Sequence, residues 1–182
     1  MAALLGALGA ALGTMVANLS SHKRGWDERW EEFSQWAVKG MELQNKLLKK
    51  VDEDTAAFNR IMSAFGLPKS NEEEKKLRKE AIENATKYAI EVPFEVMELA
   101  LESMHILEKM TEIGNPNSVT DAAVGGLCAR TAIMGAYLNV KINAAGLDDK
   151  AFGEEIISKG HVIVEKANEI EQRILSIAEE KI

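Results

Sequence analysis

Two aspartates and one basic pair are the residues of this sequence whose positions could do chemistry: Asp54, Asp121, and Lys23 with Arg24. Read at alternating steps of four and three, Leu47, Val51, Asp54, Phe58, Ile61 and Phe65 form a helical packing seam in which Asp54 is the one polar member. A carboxyl group drawn into hydrocarbon loses the hydration that favours its ionised form. One that keeps its proton near neutral pH is a general acid. The seam therefore makes Asp54 a candidate proton donor. The plainer alternative is a solvated acid at the seam's edge, or one paired with Lys50 a turn earlier. Asp52 points to another face, in line with Asn45 and Lys49.

Asp121 begins a second pattern of interest. Asp121, Gly125, Cys128, Ala132, Gly135 and Asn139 form a stripe of small or polar residues along one helix. Such a stripe lets another helix approach closely, or leaves a slot for a flat ligand beside Asp121. If Ser118 caps that helix, Asp121 falls at its third position, where an acid also serves the backbone donors and the dipole. Lys23 and Arg24 follow directly on the first helix. Other chemistries find less support. His22, His105 and His161 lie on separate segments without metal-ligand spacing. Gly125 and Gly126 are not followed by the lysine and hydroxyl of a phosphate loop, and no serine sits in a nucleophile elbow.

The elements that must position these residues are helices. Ala, Leu, Glu and Lys abound, β-branched runs are few, and three prolines punctuate 182 residues, enough chain for one domain with a real core. A formal charge of -7 argues against a nucleic-acid binder. The single cysteine, Cys128, forms no internal bridge and is expected to be a small buried residue. Met1–Ser21 carries no charged side chain, yet its Ala and Gly content and its smooth side of Gly6, Gly9 and Gly13 predict a buried helix rather than a membrane span. After Gly25, Trp26, Trp30, Phe33 and Ala37 start a helical pattern that runs to Phe65, as one helix or two nearly collinear ones. Ser70 with Glu73 suggests a capping box for the next helix, and Pro93 predicts a kink or break near Val92. Gly114 and Pro116 end that segment, the next helix spans Asp121–Asn143, and Asp148 or Asp149 caps a last one.

Four ordered motifs connect these elements to a known family. GAALGTMVANLS at Gly9–Ser20, VDEDTAAF at Val51–Phe58, GNPNSVTD at Gly114–Asp121 and GAYLNVKIN at Gly135–Asn143 appear in the order seen in formimidoyltetrahydrofolate cyclodeaminases. The resemblance covers essentially the whole chain. It implies an all-α bundle of about five to six long helices, assembled as an obligate dimer and working in the cytoplasm, with no cofactor and no metal. The activity implied is ring closure of 5-formimidoyltetrahydrofolate: N10 attacks the amidine carbon, and ammonia leaves to give 5,10-methenyltetrahydrofolate, a step of one-carbon metabolism and histidine degradation. By the same resemblance Asp54 is the proton donor and Asp121 orients the pterin or stabilises the cationic carbon. Lys23, Arg24 and Asn139 bind substrate, the basic pair facing a glutamate or polyglutamate tail. Thr120 stands where the family has serine. The family precedes its Ala-rich helix with a Gly-rich turn and an earlier helix, and Met1 stands where that turn would end, so the single domain, 1–182, is expected to lack both. A methenyltetrahydrofolate cyclohydrolase and a non-catalytic helical scaffold are the alternatives.

Overall fold

Residues 1–182 are described by a computed structural model and form five helices with no strand: α1, Ala2–Ser21; α2, Trp30–Phe65; α3, Glu72–Ile113; α4, Val119–Ala145; and α5, Lys150–Lys181. The spine is α3, which touches each of the other four. Its core side carries Val96, Met97, Met104, Ile106, Leu107 and Met110, none more than 3% exposed. Each such side chain contributes about 1.5–3 kcal/mol by leaving water.

Pro93 does not break this helix. It has no N–H to offer the Ala89 carbonyl one turn back, which is why the sequence predicts a kink. Asn143 on α4 supplies the missing donor, its Nδ2 lying 2.9 Å from the Ala89 oxygen. The ladder is closed from outside, and α3 runs unbroken for 42 residues. The cap of α3 also differs from expectation by one residue. Asn71, not Ser70, is the N-cap and accepts from the Glu74 N–H, while the Glu74 carboxylate accepts from the Ser70 N–H. Asparagine caps as well as serine, and here its position lets both bonds form.

Helix α2 is a single rod of 36 residues. At its start Phe33 is fully buried, with the Trp26 ring stacked on it at 5.5 Å, while Trp30 is exposed. The turn before it uses Gly25 at φ +86°, a conformation that glycine adopts without strain. Asp149 caps α5 by accepting from the Phe152 N–H at 3.1 Å.

By length and composition α1 could cross a bilayer. Its glycine side instead packs into the bundle against α2, α3 and α4. A Cβ on Gly9 would come within 2.8 Å of the Gly125 oxygen, so α1 and α4 meet backbone to backbone along the small-residue stripe. The stripe is thus a helix contact. Lying beside each other over α3, α1 and α4 turn apolar side chains to solvent, among them Leu4, Leu8, Met15 and Leu19 from α1 and Leu127, Leu138 and Ile142 from α4.

Candidate functional site

Asp54 is exposed, contrary to the expectation of a dry seam. The reason lies in which parts of α2 have another helix packed against them. Helices α1 and α2 run antiparallel, with Thr14 against Gly40 and Gly6 against Leu47, so the first residues of α1 reach α2 at Val51. Further along, α2 packs on α3 through Ala57 against Ala89 and Val92. Leu47 is buried and Val51 and Ile61 are half-buried, but Phe58 and Phe65 are 61% and 51% exposed. Lys50 is not Asp54's partner either. Its ammonium is 2.5 Å from Glu53 and also pairs with Glu95. Burial pulls the Lys50 ammonium down, but its hydrogen bonds to the two glutamates prevail and hold it above its ordinary value.

Although exposed, Asp54 is not on open surface. It lines a narrow cleft with Met1, Ala2 and Ala3 of α1, Val51 of α2, Pro93 and Val96 of α3, and Ala136 and Asn139 of α4. The space is about 20 Å³, room for a single water. The start of α1 has no side-chain cap and no acid in its first turn. Asn139, itself exposed, brings an amide to the same place, so the structure unites two of the residues singled out in the sequence.

The other three lie elsewhere. Asp121 is half-buried at the third position of α4, as expected for a Ser118 N-cap, though the Ser118 side chain itself makes no capping bond. The start of α4 sits by the end of α1, where the Asn115 N–H donates to Ser20 Oγ at 2.8 Å. Lys23 and Arg24 follow at that same end. The Lys23 ammonium stands 4.0 Å from the centre of the Trp26 ring, and Arg24 is exposed. A helix of 20 residues is about 30 Å long. Asp121, Lys23 and Arg24 are thus separated from Asp54 and Asn139 by roughly the length of α1, and no single chain gathers all five.

A roomier groove, about 650 Å³, runs between α2 and α3. Lys46, Lys49 and Lys50 face Glu95, Glu98 and Glu102 across it, with Leu99 its lone apolar residue. The spacing of the three lysines and Glu53 marks this charged face of α2 in the sequence, but it was not singled out there. Small-molecule sites are mostly apolar with a few polar groups. This groove is the reverse, a solvated ion-pair network. No three His, Cys, Asp or Glu side chains converge as a metal site would require.

Residues 1–161 match the formiminotransferase-cyclodeaminase family. The chain belongs to this family. Among its relatives, methenyltetrahydrofolate cyclohydrolase of Methylorubrum extorquens is 36% identical over 181 residues, covering all of this chain and 87% of that protein. Formimidoyltransferase-cyclodeaminase of Gallus gallus is 30% identical over 181 residues, but this chain spans only 34% of its length. The crystal structure of formiminotetrahydrofolate cyclodeaminase from Thermotoga maritima superposes with a TM-score of 0.85 at 27% identity, over 98% of this chain and 85% of that one. The family resemblance and the helical bundle read from the sequence both hold.

Proposed function

We propose that this protein acts on the carbon bridging N5 and N10 of tetrahydrofolate, and that it opens 5,10-methenyltetrahydrofolate with water. The observation that carries the reading is the Asp54 carboxylate standing open to water, in a cleft with room for one water and with Asn139 beside it. In the reaction proposed, Asp54 takes a proton from water as its oxygen bonds to the amidinium carbon. The carbon–N5 bond then breaks, N5 takes up a proton, and the carbon stays on N10 as a formyl group, with one proton released overall. The similarity to the Methylorubrum cyclohydrolase, over most of both chains, supports the same assignment.

The second reading is cyclodeamination, favoured by the close structural match to the Thermotoga protein of that name. There Asp54 gives a proton to the departing ammonia instead. That role wants the dry carboxyl the sequence led us to expect, which is not what one chain provides. The two reactions move the methenyl chromophore in opposite directions. Incubated with 5,10-methenyltetrahydrofolate, the protein should bleach it faster than buffer alone. Given 5-formimidoyltetrahydrofolate, a cyclodeaminase would generate the chromophore and release ammonia. Activity on the second compound alone would reverse our order of preference. In either reaction Asp54→Asn should lower turnover by about 100-fold or more with folding kept. We take the substrate to be polyglutamylated, the working form to be a homodimer and the compartment to be the cytoplasm.

A further inference from the structure

Asp54 has a lysine at the spacing that pairs side chains along a helix, and does not pair with it. Residues four apart stand one above the other, within reach of an ion pair, and Lys50 is four residues before Asp54. Its ammonium turns instead to Glu53, at 2.5 Å, and across to Glu95 of α3. We infer that Glu53 and Glu95 are positioning residues: they hold Lys50 in the groove between α2 and α3, so that the Asp54 carboxylate faces the cleft with no lysine on it and stays free to take a proton from water. This rests on Asp54 as the base of the proposed hydrolysis.

The lysine is held from both sides. Its side chain is 14% exposed, and the two carboxylates outweigh the burial that opposes its charge. Lys46 and Lys49 of α2 and Glu98 and Glu102 of α3 line the same groove, and Lys39 holds Glu102 at 3.2 Å. The surroundings of Asp54 are different. There α3 gives Pro93 and Val96, and α4 gives Ala136 and Asn139, none of them charged. Helix α1 gives Ala2 and Ala3 with Met1 before them, where the amino terminus is the one titratable group. None of the protein's ion pairs includes Asp54. That freedom matters because a cation within roughly 4–6 Å makes a carboxylate a weaker base. In a space of about 20 Å³, an ammonium bonded to Asp54 would also occupy the oxygen that has to receive the proton.

Releasing the lysine and then removing it tests this. Glu53→Ala, Glu95→Ala and Glu98→Ala together leave Lys50 no carboxylate in the groove except Glu102. None of the three side chains is buried, and alanine suits a helix, so folding should be kept. This triple variant should bleach 5,10-methenyltetrahydrofolate about 5-fold more slowly than wild type, with the low-pH edge of its activity moved down by about half a pH unit. Adding Lys50→Met should bring back the wild-type rate and most of the edge, because the released ammonium is what blocks the base. A purely structural role for the glutamates predicts no recovery. That result, or a triple variant as active as wild type, would overturn the inference. A second measurement needs no turnover. Followed by NMR against pH, the carboxyl carbon of Asp54 should titrate lower in the triple variant than in wild type or in the variant that also carries Lys50→Met. If wild type turns over neither folate, the proposed reaction falls, and this order of titrations still decides whether the glutamates keep Lys50 from Asp54. Identical titrations in all three proteins would refute it.

Discussion

Asn143→Ala offers a test of how the cleft's floor is held. Pro93 deprives the Ala89 carbonyl of its helical donor, and Asn143 Nδ2 supplies one from α4 at 2.9 Å. Ala89 is only 7% exposed, so water is a poor substitute. Removing the amide leaves a largely buried acceptor unsatisfied, at about 1–3 kcal/mol. For a domain of this size each kcal/mol lowers Tm by about 2–4 °C. The same change in a Pro93→Ala background should cost little, because the alanine N–H can bond the Ala89 oxygen within α3. Urea unfolding of wild type, both single variants and the double variant measures the coupling, expected at about 1–2 kcal/mol. An equal cost of Asn143→Ala with and without Pro93 would refute the reasoning, since the bond would then have nothing to do with the missing N–H. Pro93 and Asn139 both line the cleft with Asp54, so this bond also fixes the site's geometry.

Two glycines of the α1–α4 contact should respond oppositely to alanine. Gly9→Ala drives a methyl to within 2.8 Å of the Gly125 oxygen and should cost about 1–3 kcal/mol, whereas Gly135→Ala meets only the Ala2 Cβ at 3.6 Å and should be neutral or raise Tm through helix propensity. Equal thermal shifts for the pair would show that the helices are not in contact at Gly9. At the α4–α5 junction, the hydrogen bond from Lys79 holds Asp148 below its usual value, and those from Lys87 and the Phe152 N–H do the same for Asp149. A depressed carboxyl stabilises the fold above its unfolded pKa and stops doing so as pH falls through its lower folded one. Hydrogen exchange over 146–153 should thus be unchanged by this pair between pH 7 and 5 and accelerate below about 4. Loosening already at pH 6 would show that other groups govern the junction.

The helices were legible because their signals are local. Gly66 with Pro68 and Gly114 with Pro116 stop α2 and α3, Asp149 caps α5, and Asp121 takes the third position of α4, all within a few residues in sequence. The stripe from Gly125 to Gly135 announced a close neighbour, and α1 is that neighbour. That Pro93 leaves α3 unbroken has a reason that is not local. Its effect depends on Asn143, about fifty residues away, and a helix-breaking residue is harmless when another element makes good the bond it removes.

Asp54 shows the same limit at the site. Periodicity says which residues share a face of a helix; it does not say what lies across from that face. The seam from Leu47 to Phe65 is continuous in sequence, but α1 covers only its first part, and the acid stands where cover stops. A carboxylate placed there is neither a core residue nor ordinary surface. It borders the first residues of α1 and the amide of Asn139, with exposed Phe58 and Phe65 continuing beyond it. That open setting is the one the proposed attack by water requires.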